Sequence, residues 1–363
     1  GDDGLMEFHL SDDRRMLADS LARFLAEHCP VEKRAELAYA APFHDPAALE
    51  GLVELGVLYA LAGEDQGGMG GTGFDIAVVF ETLGHALCPE PVLPALLAAR
   101  LLSAAGTDLE PLMTGEVRYA VGLGERDAPY DLSGIATEAR AEAGGWRLTG
   151  RKSVVYGGQV ADRFLIAARG ASGLGVYELA AGDAEVVGYG MIDGGGAAEV
   201  ILENTPAALV LEEAADALQG ALDAGALALA AEALGTMEAT NAVLVDYLKT
   251  RKQFGQPIGA FQALQHRAVD LAIEIEQARS IVIRAADGLD GPDGSRRVSQ
   301  AKHLVGRIAR LVAEEAIQMH GGIAMTWEYP VSHFAKRLVM IDHQLGDADF
   351  HLERLMTALQ AEA

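Results

Sequence analysis

The residues best suited to chemistry lie in two short segments of the C-terminal third. The first, RKQFGQPIGAFQ over 251–262, opens with Arg251, whose planar guanidinium offers paired N–H donors that match the oxygens of an anion. Phe254 adds an aromatic face three residues later, and Gln262 closes the segment with an amide. The second, AIQMHGG over 316–322, carries Gln318 and the pair Gly321 and Gly322, where a missing Cβ permits close approach to backbone. Plainer readings stand beside these: Arg251 as a surface arginine at a helix end, Phe254 as a core residue of an interface. The ten histidines form no ligand-like cluster; His320 sits in the second segment, and His343 lies further on. No metal is implied. Cys29 and Cys88 are too few and too isolated for a disulfide framework or a cysteine-rich metal site, and read as half-buried thiols in a reducing compartment.

Elements of three textures must hold these residues. From Ser11 to about Ala105 the pattern is helical, with a start at Ser11 followed by Asp12 and Asp13, then Met16, Leu17, Leu21, Phe24 and Leu25 at three- and four-residue spacing. From about Val117 to Val210, short β-branched or aromatic runs are separated by glycines, among them YAVGL, GWRLTGRKSVV, RFLIAAR, GVYEL and AEVILE. Helical spacing returns from Leu218 to Lys249, Gln262 to Ala286 and Val298 to His320, with a last helix near Asp347. The stretch from Ala286 to Arg296 reads as a solvent loop. The expected fold is an N-terminal all-α domain (6–115), a middle antiparallel β-barrel or sandwich (116–210) and a C-terminal four-helix bundle (211–363). Apolar stripes on the last helices point to oligomerisation.

The chain is 363 residues long, half apolar, with a formal charge of −25. Such a surface disfavours nonspecific binding to nucleic acid or to an anionic membrane. No signal peptide and no clean membrane span is read; the apolar run after Leu218 comes closest, interrupted by Asp223, Glu232 and Glu238. A cytoplasmic location is expected. Gly1–Leu5, ahead of Met6, are assigned no function.

The domain order and four short segments resemble the flavin-dependent acyl-CoA dehydrogenases. The segments are RKQFGQPIGAFQ, then AIQMHGG continued by WEYP at 327–330, then LTGRK at 148–152, and the GEDQGG loop at 63–68. The resemblance implies FAD as cofactor and an acyl-CoA thioester as substrate, with α,β-dehydrogenation as the reaction. An electron-transfer flavoprotein is the implied acceptor. It also implies that the first two segments reach across a subunit interface to the adenosine half of a neighbour's FAD. By that correspondence Arg251, Phe254, Gln262, Gln318, Gly321 and Gly322 form the adenosine half-site.

Elsewhere the chain departs from the family. Where the resemblance expects M-T-E-P-x-x-G-S-D against the flavin ring, GLGERDAPY stands at 122–130, without the threonine hydroxyl or the Gly-Ser-Asp turn. Where a tryptophan-isoleucine-threonine run is expected, SVVYGG stands at 153–158, with Val155 about at the tryptophan; Tyr156 or Ser153 are the available substitutes. The base is also missing. Deprotonation at the α-carbon needs a carboxylate within hydrogen-bond reach, yet the two positions the family uses correspond to Gly225 and Gly346. Three carboxylates are nearby candidates: Asp347, next to Gly346; Glu232, on Gly225's helical face about 10 Å along the axis; and Asp223, pointing away from Gly225. The plainer reading of each is a solvated or helix-capping acid.

Three functions stay open. One is the glutamate-less subunit of a heteromeric dehydrogenase, of the kind acting on steroid side chains, which clamps the adenosine half of FAD beside a homologous glutamate-bearing subunit. A second is a self-sufficient homomeric dehydrogenase with a displaced base. The third is a non-enzymatic binder of CoA thioesters or proteins. The resemblance leaves the acyl chain unspecified.

Overall fold

The computed structural model describes residues 11–361. Gly1–Leu5, Met6 and His9 lie outside that range. Seven helices come first: α1 (Asp12–His28), α2 (Val31–Leu37), α3 (Pro46–Glu54), α4 (Val57–Ala60), α5 (Gly73–His85), α6 (Val92–Ala104) and α7 (Glu110–Met113). Seven strands follow: β1 (Tyr119–Gly122), β2 (Glu138–Glu142), β3 (Gly145–Tyr156), β4 (Arg163–Gly170), β5 (Gly173–Ala180), β6 (Glu185–Gly190) and β7 (Gly196–Leu211). The chain ends with α8 (Ala215–Thr250), the small hairpin β8 (Lys252–Gln253) and β9 (Gln256–Pro257), then α9 (Gln262–Gly288), α10 (Gly294–His320), α11 (Pro330–Asp342) and α12 (Ala348–Ala361). Packing groups these into two compact units. Among the described residues, one takes 11–33, 73–88 and 226–361; the other takes 34–72 and 89–225.

The first unit is helical. Ser11 caps α1 by accepting the Arg14 N–H, and Leu21 and Leu25 are buried. Met16 is 61% exposed, because five residues carry it about 140° around the helix from Leu21. Helices α5 and α8 approach to backbone contact through two glycines: a Cβ on Gly84 would overlap the Glu232 carbonyl, and one on Gly235 the Glu81 carbonyl. Thr236 Oγ1 seals that seam, donating to the Gly84 carbonyl at 3.1 Å.

Two expectations need correction. The solvent loop after Ala286 is shorter than expected, since α9 continues to Gly288 and α10 already begins at Gly294. Ala286 and Leu289 are buried and anchor that connection. The sequence reading also missed α11, although Pro330 at its first turn is a recognisable start. Of the helices, α8 is long and apolar enough to cross a membrane, and 78% of its apolar window is buried.

The second unit carries a seven-stranded sheet ordered β1-β4-β2-β3-β7-β5, with β6 on β7 and a further β4–β5 pairing that closes β4, β2, β3, β7 and β5 into a ring. The pairings are antiparallel except β1–β4 and the single β2–β4 bridge, Glu138 with Arg169. Inside lie Leu148, Val155, Phe164, Ile166, Tyr177, Leu179, Val200 and Leu202. The register of β3 on β7 slips between Lys152 and Val155, and Val154 takes φ +52° there. For a β-branched residue that is a true backbone outlier.

Candidate cofactor site and catalytic positions

Arg251 follows the last turn of α8. Its N–H donates to the Tyr247 carbonyl and its carbonyl accepts the Ile258 N–H, each at 2.8 Å, so the chain folds back on itself as the β8–β9 hairpin. Phe254 and Gly255 form the tip with φ +53° and +81°, the pairing of positive angles that a two-residue hairpin turn of type I′ needs. A bulky residue in that region costs about 1–2 kcal/mol. Phe254 is nonetheless 91% exposed, its ring set edge-on to Phe261 at 6.1 Å. The Arg251 guanidinium is exposed and has no hydrogen-bond or ion-pair partner among the described residues. Gln262, the first residue of α9, is exposed as well.

The second segment meets the first at the same end of the bundle. Tyr247, one turn before Arg251, donates its hydroxyl to the His320 carbonyl at 3.2 Å. The Tyr247 and Tyr329 rings lie 4.5 and 5.4 Å from the His320 ring. Beneath them Ala316, Ala324 and Val331 form a small core. His320 Nδ1 donates to the Ala316 carbonyl at 2.7 Å, while its Nε2 is buried without a partner. Burial lowers the His320 pKa, which favours the neutral ring. Gly321 then adopts φ +73°, ψ −152°, a region essentially reserved for glycine. A Cβ on Gly321 or Gly322 would meet open space, and Gln318 is exposed one turn earlier. All six residues of the expected half-site therefore face outward, on segments tied together through Tyr247 and His320. The set suits an anion joined to an aromatic group.

The β-domain stretches are arranged the opposite way. Glu199 on β7 accepts from Arg151 Nε at 2.8 Å, Ser153 Oγ at 2.9 Å, the Val154 N–H at 3.2 Å and the Tyr189 hydroxyl at 3.2 Å. Burial pushes the Glu199 carboxyl up, but the bonds from Arg151, Ser153 and Val154 outweigh it and hold it below the usual range. Burial beside Glu199 drives the Tyr189 phenol up to about 12. Ser153, a possible stand-in for the missing ring contacts, has its hydroxyl engaged here. Beside the strand slip, Val155 is 1% exposed in the barrel core, and Val154, 44% exposed, is the residue facing out.

In the 122–130 stretch, Glu125 turns inward. It receives Lys152 Nζ at 2.7 Å, Thr137 Oγ1 at 2.6 Å, and the Ala136 and Thr137 N–H groups at 2.8 and 3.0 Å. Lys152 is fully buried, and burial pulls its ammonium down to about 8.

Comparisons with known proteins agree on the family. Residues 11–109 match the acyl-CoA dehydrogenase N-terminal domain and residues 215–360 its C-terminal domain. The chain belongs to the acyl-CoA dehydrogenase family. It is 30% identical to acyl-CoA dehydrogenase IpdE2 of Mycobacterium tuberculosis, over 90% of this chain and 91% of that one. Among solved structures, the ChsE4-ChsE5 complex of Mycobacterium tuberculosis superposes with a TM-score of 0.90 at 26% identity, covering 98% of this chain and 99% of that chain. The Tcur3481-Tcur3483 steroid ACAD gives 0.88 at 28%, covering 97% and 99%. A glutaryl-CoA dehydrogenase of Mycobacterium smegmatis, solved with FADH2, shares the fold at a TM-score of 0.88 and 20% identity, covering 97% and 95%.

Acyl-CoA dehydrogenase chemistry directs attention to the two base positions. Gly346 has φ +98°, and a Cβ there would lie 2.5 Å from Phe350 Cδ1 and 2.7 Å from His351 Nε2. Its carbonyl accepts from Lys302 Nζ at 2.7 Å, and the same ammonium donates to the Asp342 and Ile341 carbonyls at 2.8 and 3.3 Å. Burial pulls Lys302 down to about 8 and His351 to about 3. His351 lies 3.1 Å from both Ser299 Oγ and the Leu345 carbonyl. The loop is thus closed around a buried lysine and a neutral histidine, with no room for a side chain at Gly346. Gly225 is buried within α8.

The three alternative carboxylates are all engaged. Asp347 caps α12 by accepting the Phe350 N–H at 2.8 Å. Glu232, 7% exposed, accepts from Arg337 Nε at 2.7 Å, and Arg337 also donates to Gln344 Oε1 at 3.0 Å. Asp223, 5% exposed, accepts from Gln219 Nε2 at 3.0 Å. Sequence reasoning missed Lys302, His351 and the Glu125–Lys152 pair. A lysine and a glutamate in the segments already singled out were a usable signal for that pair; nothing local marks Lys302 as the partner of Gly346.

Proposed function

We propose that this chain is the subunit of a heteromeric acyl-CoA dehydrogenase that clamps the adenosine half of FAD, while a homologous partner supplies the base and the wall for the flavin ring. The observation that carries this reading is the strained, 91% exposed Phe254 beside an Arg251 guanidinium without a partner among the described residues and open glycines, which suits a ligand brought by another chain. Arg251 would meet the pyrophosphate, Phe254 the adenine, and Gly321 and Gly322 would admit a phosphate or ribose against backbone. When bound, FAD supplies the hydride acceptor for oxidation of the thioester.

The residues toward the ring fit FAD poorly. Ser153 and the Val154 N–H are already bonded to Glu199, and a carboxylate held ionised at that edge disfavours an electron-rich ring. The self-sufficient reading requires Asp347, Glu232 or Asp223 as base, and each already holds a structural partner. The heteromeric neighbours support a partner subunit, and the steroid ACAD supports a bulky acyl-CoA as substrate. Electron-transfer flavoprotein remains the expected acceptor.

Flavin released from the purified chain, quantified by chromatography, tests the reading. Occupancy far below one FAD per chain alone, restored on assembly with a glutamate-bearing homologue, is expected. Full occupancy of the isolated chain would overturn it.

A further inference from the structure

The second unit also holds a half-enclosed cleft of about 400 Å³, which meets the 153–158 stretch at Gly157, within the range of small-molecule sites. Its walls are apolar, with Leu49, Val53, Leu58, Ala95, Leu112 and Val160 among them. The polar residue that lines it most deeply is His44, 3% exposed. His44 Nδ1 lies 2.9 Å from Glu90 Oε2, and Glu90 Oε1 accepts the Asp45 N–H at 3.0 Å. With Glu90 ionised, both carboxylate oxygens take donors, so in the neutral form of His44 the ring proton sits on Nδ1 and Nε2 carries the lone pair. Nε2 has no hydrogen-bond partner among the described residues.

The charged residues around the cleft restrict what can meet that lone pair. Glu50 and Glu116 are exposed on its lining and form no hydrogen bond or ion pair among the described residues. The one arginine of the lining, Arg118, is held by Asp162 through bonds of 2.9 and 3.0 Å. An anion entering here meets unpaired carboxylates and no available cation. We propose that this cleft, lined by no residue of 251–262 or 316–322, is a second small-molecule site for an uncharged or cationic amphiphile whose O–H or N–H donates to His44 Nε2 while its apolar body lies along the walls.

In this arrangement Glu90 is a positioning residue, since it sets which ring nitrogen can accept. Glu90→Gln keeps an oxygen for the Asp45 N–H and offers an amide N–H to Nδ1. The ring proton then moves to Nε2, which turns the site from an acceptor into a donor.

Calorimetric titration of the full chain with four probes tests the assignment: 4-propylphenol, 4-propylbenzylamine, 4-propylanisole and 4-propylbenzoate. The phenol or the amine should bind, and the anisole and benzoate should bind about tenfold more weakly, the cost of one lost hydrogen bond or of a repelled charge. A tighter phenol identifies an uncharged natural ligand, a tighter amine a cationic one. Ala95→Phe should abolish binding by filling the cleft, and Glu90→Gln should shift preference from phenol toward anisole. No binding by phenol or amine, benzoate binding as tightly as phenol, or an unchanged phenol-to-anisole ratio in Glu90→Gln would overturn the proposal. The probe series and the Glu90→Gln ratio decide it even where Ala95→Phe fails to fold.

Discussion

The hairpin end at Phe254 and Gly321 and the loop at Gly346 solve opposite problems with similar means. Both hold residues at positive φ, and both rely on a hydrogen-bonding side chain behind the strained backbone, half-buried Tyr247 in one and buried Lys302 in the other. At the hairpin end, Tyr247 grips the His320 carbonyl from inside while Arg251, Phe254 and the glycines project outward. At Gly346, Lys302 grips three carbonyls from inside and the side-chain direction is filled by Phe350 and His351. The first end has donors and an aromatic face left over for another molecule; the second has nothing left over. An outward set of donors at one end and a closed loop at the other is the pattern that the proposed clamping role requires.

Restoring the base at the closed loop is the most severe way to attack that contrast. Gly346→Glu should destabilise the chain by about 3 kcal/mol or more, because a buried side chain is forced onto Phe350 and His351 at a glycine-only φ. Urea unfolding of that variant beside Gly346→Ala measures it. A Gly346→Glu variant of unchanged stability that oxidises thioester would show that the loop is open to a base.

Lys302→Met should cost somewhat less, about 2–3 kcal/mol, by leaving carbonyls without their donor. It also has a pH signature. Lys302 and Lys152 are pulled from 10.5 to about 8 by burial, so between about pH 8 and 10.5 the unfolded chain binds more protons than the folded one. Unfolding free energy attributable to these groups therefore rises with pH across that window and is lowest below it. Lys302→Met should flatten the rise, as unfolding midpoints at pH 7.5, 8.5 and 9.5 (about the span of that window) would reveal. A wild-type profile with no such component would remove the buried ammonium from the explanation.

At the open end the expected effects divide differently. Arg251→Ala and Phe254→Ala should leave the unfolding midpoint of the isolated chain within about 0.5 kcal/mol, since both side chains are exposed. The same variants should weaken FAD retention by an assembled complex about tenfold or more, given the strength of a charge-assisted contact to pyrophosphate. Equal loss of stability and retention would make this end a structural element. The smallest effect belongs to Val154→Gly, which should change stability by no more than about 1 kcal/mol in either direction, as relief of a strained φ opposes the added chain entropy.

Periodicity and composition made most of the fold legible: α10 carries its buried face at helical spacing, while α8 and β4 read as apolar runs buried nearly all round. Helix α11 was hidden because its buried face includes His333 and Arg337, which read as polar surface. The outward placement of the 251–262 and 316–322 residues agrees with their local sequence, since the hairpin tip and the glycine pair lie within short segments. The other pairings were not. Lys302 and Gly346, Glu125 and Lys152, and His44 and Glu90 are joined by tertiary folding across long stretches of chain, and residue types alone do not pair them. The outward turn at Val154 was not legible for a related reason: it depends on the register slip of β3 against β7 between Lys152 and Val155, a tertiary pairing.

An anaerobic titration of the purified chain, reconstituted with FAD, with acyl-CoA thioester tests the division of labour most directly, with the blue absorbance band of oxidised flavin as the readout. The chain alone should show no thioester-driven bleaching, and bleaching should appear when a glutamate-bearing homologue is added. Bleaching by the chain alone would contradict the clamping role and return Asp347, Glu232 and Asp223 to consideration as bases.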